Sequence, residues 1–234
     1  MTSERYRWLL VDGFVDRFNT HRARYFIPSE LICVDESISR WYGQGGDWIN
    51  HGLPMYVAID RKPENGCEIQ NAACAESGVM IRLRLVKTKT EEESGDKEDV
   101  HGILHGTKIL KYLVSPWRYS DRMVCADSYF ASVPAAEELK KMRLRFIGVV
   151  KTAVKRFPMA YLANEEMEMR GERRALISKT TEDGPTLMAF SFLDRDRRYF
   201  IASGSSMQEG TPFIRRRWRQ VEDVETQLDP IKLS

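Results

Sequence analysis

The sequence predicts an α/β protein in which helices flank a mixed β-sheet, with a β-rich elaboration toward the C-terminus. Two observations support this prediction. Short apolar segments typical of strands alternate with amphipathic segments at helical spacing in the first part of the chain, whereas strand-like segments prevail near its end. In addition, two of the apolar segments end in an aspartate, at Val34-Asp35 and at Ala126-Asp127.

The composition limits the class of protein. A chain of 234 residues fits one large core with an elaboration better than two full domains. The 36 Lys and Arg nearly balance the 34 Asp and Glu, so the net charge alone does not indicate a polyanion-binding protein. Four Cys without zinc-ligand spacing indicate a reduced, intracellular protein, and no apolar run has the length of a signal peptide or a membrane span. We therefore expect a soluble protein with no membrane partner.

The first third of the chain predicts a helix followed by strands. Apolar residues spaced by three and four predict an amphipathic helix over residues 6 to 27, which Pro28 ends. The strand Leu31 to Asp35 follows. A hairpin is then predicted from Pro54 to Ile59 and from Cys67 to Ala73. The last strand of this part, Val79 to Val86, alternates apolar residues with arginines, which predicts one buried and one wet face.

The next elements surround the second aspartate. Residues 87 to 102 are rich in acids and predict a disordered loop. A helix from about Thr107 to Val114 precedes the strand Arg122 to Asp127. Ser132 is a candidate cap for a helix with Pro134 in its first turn. The strand Phe146 to Val150 comes next.

The remaining residues contain weaker signals. Residues 151 to 186 are polar and give only a faint strand signal around Ala175 to Ser178. A clear hairpin is predicted from Leu187 to Leu193 and from Tyr199 to Ala202.

The two strand-end aspartates are the candidate site residues. An ionised Asp at the end of a buried strand is costly unless it is paired, hydrogen-bonded or bound to a cation, so two of them suggest a divalent metal site. The alternative is that each Asp merely ends a strand and caps a turn. Glu36 is a plausible extra ligand, but we favour an exposed neighbour. Cys33 and Cys125 each precede an aspartate by two residues and so lie on its strand face, where they either stack under the carboxylates or coincide by chance.

Several motifs resemble those of piggyBac-type transposases. These are Val34-Asp35-Glu36, the segment Asp127-Ser128-Tyr129-Phe130-Ala131-Ser132, and the strand that begins at Phe146. The resemblance implies a ribonuclease H-like fold in which both aspartate strands lie side by side. It divides the chain into a helical lead-in (residues 1 to 29), a catalytic core (30 to 155) and a β-rich elaboration (156 to 234).

The resemblance also implies a function, namely cleavage and transfer of DNA strands in the nucleus. Asp35 and Asp127 would be catalytic and would bind Mg²⁺ as a pair. The third catalytic Asp of the family has no match here, since Asp223 and Asp229 lack its context, so we expect weak or absent Mg²⁺ binding and no turnover by this chain alone. Two alternatives are a domesticated DNA- or protein-binding domain without catalysis and an unrelated ribonuclease H-like nuclease. A homodimer is compatible with the sequence.

Basic residues cluster in two places. From Lys140 to Arg156 there are seven Lys and Arg and no acid, and a second cluster surrounds Trp218. Contact with DNA phosphates is the functional interpretation, and a solvated surface is the ordinary one. The candidate DNA-binding residues are Lys151, Lys155, Arg156, Arg215, Arg216, Arg217 and Arg219.

Overall fold

The computed structural model describes residues 4–40, 57–58, 65–86, 105–151, 154–168, 173–179, 186–204, 213–217 and 229–233. Its helices are α1 (Glu4–Tyr25), α2 (His105–Val114), α3 (Val133–Lys141) and α4 (Met159–Asn164), with a 3-10 turn at Ser115–Trp117. Its strands are β1 (Leu31–Arg40), β2 (Val57–Ala58), β3 (Asn65–Cys74), β4 (Met80–Leu85), β5 (Met123–Ala126), β6 (Arg145–Val150), β7 (Arg173–Lys179), β8 (Thr186–Leu193), β9 (Arg197–Ser203), β10 (Phe213–Arg217) and β11 (Asp229–Leu233).

Nine strands form one mixed sheet, which confirms the predicted fold class. The path through it is β2-β3-β1-β5-β6-β9-β8-β7. β1, β5 and β6 are parallel neighbours, whereas β3 and β9 run antiparallel to the strands they flank. β4 also pairs with β3, through residues 69–73, so β2 and β4 share the outer edge of that strand.

The C-terminal elaboration is part of this sheet. The hairpin of β8 and β9 pairs with β6 through β9, and β7 pairs with the outer side of β8. The predicted hairpin is therefore confirmed. Residues 151 to 186, which gave only a faint signal, contain α4 and β7 within their described part. β10 and β11 form a separate pair with each other.

One apolar core joins the sheet to α2 and α3. These helices contact each other, and they also contact β3, β4 and β6. The core includes fully buried Ile32, Val124 and Phe146 from the sheet and Leu110 and Leu139 from the helices. None of the described helices has the length and hydropathy needed to cross a membrane.

The absence of a side chain at Gly148 has a packing reason. A Cβ there would lie 2.7 Å from Cβ of Ala131 and 2.8 Å from Cζ of Phe146. A glycine within a strand normally weakens it, but here it lets the segment after Asp127 approach the sheet.

Several predicted boundaries need correction. β1 does not end at Asp35 but continues to Arg40, because β3 pairs with it as far as Arg40. Of the predicted strand from Pro54 to Ile59, Val57–Ala58 is a described strand, and the rest lies outside the described residues, as does the predicted disordered loop.

The wet face predicted for β4 is also wrong. Its arginines pack instead on neighbouring elements: the guanidinium of Arg82 lies 4.3 Å from the centre of the Tyr112 ring on α2, and Arg84 donates a 2.7 Å hydrogen bond to Gln70. The long aliphatic stem of arginine allows such burial, and the buried Nε of Arg82 has no hydrogen-bond partner among the described residues.

Both ends of α3 are capped. Ser132 accepts a hydrogen bond from the backbone N–H of Ala135, as predicted. At the other end the N–H groups of Arg143 and Leu144 bond to the carbonyls of Lys140 and Leu139, which is the Schellman pattern.

The Schellman position that usually holds glycine is occupied by Arg143, with φ of 52°. A side chain in this left-handed region costs about 1–2 kcal/mol. Its ion pair with Asp121 joins two side chains that are each more than 60% exposed, and such pairs contribute only about 0–1 kcal/mol. Folding stability therefore gives no reason to prefer arginine to glycine at this position.

α1 packs on the edge of the sheet through a narrow stripe. Val15 and Asn19 are buried, whereas Phe14 and Tyr25 are 58% and 64% exposed. The predicted amphipathic helix is thus present, but it buries fewer of its apolar residues than the spacing suggested. The Asn19 amide donates to the Leu83 carbonyl at 2.9 Å and accepts from the Leu83 N–H at 2.8 Å.

We predict that Asn19→Ala lowers the free energy of unfolding by about 1–3 kcal/mol, because both backbone groups of Leu83 lose their partner in a part-buried place. Urea denaturation followed by circular dichroism measures this. The matched control is Thr20→Ala, which changes an exposed neighbour on the same helix. Equal midpoints for the two variants would show that the bidentate bond contributes nothing to stability.

Candidate metal centre

The parallel pairing of β1 and β5 brings the two predicted aspartates together. Val34 of β1 is in register with Ala126 of β5. Asp35 follows Val34 and Asp127 follows Ala126, so the two aspartates lie side by side at the same end of the neighbouring strands. Asp35, Glu36 and Asp127 each offer one carboxylate oxygen, and these atoms all lie within 4.8 Å of one another. The predicted proximity of Asp35 and Asp127 is confirmed, while their role as ligands stays a prediction.

Backbone hydrogen bonds orient both aspartates. Asp35 Oδ1 accepts from the N–H of Glu36 at 2.8 Å, and Asp127 Oδ1 accepts from the N–H of Tyr129 at 2.8 Å. The Asp127 carbonyl accepts from Ala131, which closes the turn after β5. The turn-capping alternative is therefore correct as a description of Asp127. Capping does not explain why a third carboxylate lies beside the other two.

Glu36 is not the exposed neighbour that we favoured from the sequence. It is half-buried, because β1 continues past Asp35 and keeps Glu36 within the sheet, opposite Gln70. Burial, followed by the negative charges of Asp127, Asp35 and Glu68, raises the pKa of Glu36 to about 7. The cluster is therefore electrostatically unfavourable without a cation.

Polar residues of β3 lie opposite the site on the neighbouring strand, and the sequence analysis missed them. Asn71 lies opposite Asp35, is buried, and donates to Ser37 Oγ at 3.0 Å. Gln70 is opposite Glu36 and holds the guanidinium of Arg84. The available signal was a pair of amides, Gln70-Asn71, inside a strand otherwise rich in small residues.

The two cysteines below the aspartates are direct neighbours. Cys33 and Cys125 are in register on β1 and β5, and both are half-buried free thiols. Burial is the main cause that raises the pKa of each thiol, and the charge of Asp35 raises both further. They are therefore neutral small side chains under the carboxylates, in agreement with the predicted stacking arrangement.

Gly106 positions the turn that carries Asp127. A Cβ on Gly106 would lie 2.6 Å from the carbonyl oxygen of Tyr129, which is closer than such atoms can approach. The first turn of α2 therefore contacts the backbone just after the aspartate, and this contact requires glycine. Thr107 and Ser132 connect the same two segments by a buried hydrogen bond of 3.4 Å between their hydroxyls.

The basic run from Lys140 to Arg156 does not form one surface. Lys140 and Lys141 precede β6, whereas Lys151, Lys155 and Arg156 follow it and are exposed. Because β5 and β6 are parallel, the residues after β6 leave the sheet at the same end as Asp127. Arg156 forms an ion pair with Glu137 of α3.

The second predicted basic cluster is only partly described. Arg215, Arg216 and Arg217 belong to β10, where Arg217 is in register with Asp229 of β11. Arg219 lies outside the described residues. Contact of this cluster with DNA remains a prediction.

We predict that the protein becomes less stable as pH rises from about 4.5 to 7, because the folded state binds the Glu36 proton more tightly than the unfolded chain does. Below this range Glu36 is protonated in both states, and above it in neither. Glu36→Gln should therefore flatten the stability profile across this range. Urea denaturation at several pH values measures it, with exposed Glu76→Gln as the control. If the free energy of unfolding depended on pH in the same way in the protein and in Glu36→Gln, Glu36 would not be the group whose proton causes the change.

Comparison with known proteins places this geometry in a family. A family model described as Transposase IS4 matches residues 6–233. A solved piggyBac transposase synaptic complex with hairpin DNA aligns with 88% of this chain and 40% of its own, at 19% identity and a TM-score of 0.65. Endonuclease V of Ciona intestinalis, solved with inosine-containing DNA, aligns over 82% of this chain and 83% of its own at 14% identity, but its TM-score of 0.30 carries no argument. No curated protein matches.

The chain thus spans about 40% of the length of the piggyBac transposase whose fold it shares. Its nine-stranded mixed sheet with flanking helices agrees with that likeness. The match to the family model extends over nearly all of the sequence. The protein therefore belongs to the Transposase IS4 family of the DDE class, and it shares its fold with the piggyBac transposase.

Proposed function

We propose that Asp35, Asp127 and Glu36 bind a divalent metal ion, and that the domain contributes this centre to an enzyme that cuts and joins DNA strands. The observation that carries the proposal is the convergence of three carboxylate oxygens within 4.8 Å of one another. Membership of a transposase family supports the reaction class.

The donor set fits a hard cation. Carboxylate oxygens are the ligands that Mg²⁺ prefers, and this ion usually keeps several waters beside one or two carboxylates. Burial, and after it the charges of Asp127, Asp35 and Glu68, raise the pKa of Glu36, and a cation bound beside Glu36 would favour its ionised form. When bound, divalent ions would activate the attacking oxygen and stabilise the leaving oxygen at a phosphodiester.

The protein's own groups have separate tasks in this proposal. Asp35 and Asp127 are the two ligands held by backbone N–H groups, and they are therefore oriented before any ion binds. Glu36 is the third ligand, on the adjacent residue of β1. Gly106 and Asn71 are positioning residues, because one permits the Asp127 turn and the other lies beside Asp35 on β3.

DNA is the proposed substrate. The piggyBac structure with this fold contains hairpin DNA, and the basic residues that follow β6 lie at the carboxylate end of the sheet. Lys151 and Lys155 are exposed there, so they are suited to contact phosphates near the metal centre. A role for residues Arg215 to Arg219, a nuclear location and a homodimer are further parts of the proposal that follow from acting on chromosomal DNA as a transposase does.

We predict that the domain binds Mn²⁺ or Mg²⁺ weakly and that Asp127→Asn reduces the affinity at least about tenfold, because it removes one of few charged ligands. Gly106→Ala should reduce it less, by shifting the turn. Isothermal titration with Mn²⁺ measures both. The control is Asp121→Asn, an exposed aspartate at the other end of β5. Equal Mn²⁺ affinity for the protein and Asp127→Asn would refute the proposed centre.

The reaction itself is tested in the full-length protein that contains this domain. Strand cleavage at transposon-end DNA should require Mg²⁺ or Mn²⁺ and should disappear in Asp35→Asn and Asp127→Asn, while Asp121→Asn retains it. DNA binding without any metal-dependent cleavage would favour the alternative of a domesticated, non-catalytic binding domain.

We also predict that Lys151→Glu/Lys155→Glu weakens DNA binding and lowers its salt dependence, since each lost phosphate contact reduces the slope of log K against log salt by about 1. Fluorescence anisotropy with a random-sequence duplex measures the slope. Arg17→Glu/Arg24→Glu, at two exposed positions of α1, makes the same change in net charge on another element. If both double variants lose affinity equally, Lys151 and Lys155 make no specific contact.

A further inference from the structure

A second basic surface lies at the opposite end of the parallel strands. The segment before β5 and the segment before β6 meet there, and they present Arg118, Tyr119, Lys140, Lys141 and Arg143, which we call the basic corner. Since β5 has four residues and strands rise about 3.3 Å per residue, the basic corner is roughly 15–20 Å from Asp127. It is therefore separate from the proposed metal centre.

Backbone hydrogen bonds fix the two segments to each other. The N–H of Tyr119 donates to the Met142 carbonyl at 2.7 Å, and the N–H of Asp121 donates to the Arg143 carbonyl at 3.0 Å. The Asp121 carbonyl in turn accepts from Arg145 Nε at 2.9 Å. The side chains of the basic corner are thus carried by a rigid backbone, although both segments are loops.

The backbone of the basic corner is held in an uncommon conformation. Tyr119, Asp121 and Arg143 have φ values of 62°, 54° and 52°, in the left-handed region that favours glycine. Three such residues in two touching loops are costly to maintain, and clusters of this kind occur where a structure presents groups for binding. Arg143 is the clearest case, because its ion pair does not outweigh its strain.

The exposed groups suit a phosphate backbone. Tyr119 is 62% exposed, with the Arg118 guanidinium 5.9 Å from its ring centre, so a hydroxyl donor and a cation lie side by side. Lys141 bonds to Glu138, which also pairs with Lys111, and Arg143 bonds to Asp121. Arg118 and Lys140 add two exposed cations to the basic corner. Arginine, lysine and tyrosine are typical donors to DNA phosphates.

We propose that the basic corner is a second DNA-binding surface, which contacts the sugar–phosphate backbone away from the metal centre. The inference rests on the proposed function only in taking DNA as the partner. It assigns the first part of the Lys140 to Arg156 run to a different segment of DNA from the one that Lys151 and Lys155 contact.

The test uses Arg118→Gln/Arg143→Gly and a random-sequence DNA duplex in EDTA, with affinity measured by fluorescence anisotropy over a range of salt concentrations. We expect an affinity loss of about tenfold or more and a salt slope lower by about 2, because two phosphate contacts disappear. Thermal stability should be unchanged or higher, because glycine relieves the strain at position 143. Tyr119→Phe, which keeps the ring, should give a smaller loss.

The matched control is Arg17→Gln/Arg24→Gln, which removes two exposed arginines from α1. Equal losses in the two double variants would overturn the proposal, because only net charge would then matter. Tighter binding of polyglutamate than of the DNA duplex at the same salt concentration, lost in the same variant, would also overturn it in favour of an acidic protein partner.

The design separates this inference from the metal centre. Arg118→Gln/Arg143→Gly should keep the Mn²⁺ affinity of the unaltered protein, because both positions lie at the end of β5 opposite Asp127. If Asp127→Asn loses Mn²⁺ binding but Arg118→Gln/Arg143→Gly keeps its DNA affinity, only the second surface is refuted. If Asp127→Asn keeps Mn²⁺ binding but Arg118→Gln/Arg143→Gly loses DNA affinity, only the metal centre is refuted.

Discussion

The parallel pairing of β1 with β5 is the constraint on which the rest of the site depends. These strands are far apart in the sequence, and their register places Asp35 beside Asp127. A shift of one residue would turn every side chain of the strand to the other face of the sheet, so register and chemistry are fixed together. The buried residues Ile32, Val34, Val124 and Ala126 hold this register, because a slip would expose them.

The site conflicts with the stability of the sheet that holds it. Glu36 follows Ile32 and Val34 at intervals of two along β1, so it lies on the strand face that carries the apolar core, and burial is the main cause that raises its pKa. The protein limits the conflict by directing backbone N–H groups at Asp35 and Asp127, while the Glu36 carboxyl, with a pKa of about 7, exchanges its proton near neutral pH. A group that changes charge near pH 7 makes ligand binding and proton release part of one equilibrium.

The sequence predicted the elements whose pattern is local, and it failed where a distant partner decides. β5, β6, α2 and α3 followed from apolar spacing and from the Ser132 cap. The extension of β1 was missed because its polar residues resemble a loop, and only pairing with β3 makes them a strand. Glu36 was misplaced for the same reason. The alternation of apolar residues and arginines in β4 predicted that Arg82 faces water, but α2 covers that face of the strand. No pattern within β4 could indicate this contact with a distant helix.

The attachment of α1 through Asn19 has a consequence for solubility. Leu83 is on β4, which shares the outer edge of β3 and whose own outer backbone groups would attract another strand. The Asn19 side-chain amide donates to the Leu83 carbonyl and accepts from the Leu83 N–H. It therefore makes the two hydrogen bonds that the backbone of a neighbouring strand would otherwise make. By occupying both backbone groups of Leu83, α1 opposes edge-to-edge association of β4 with another strand.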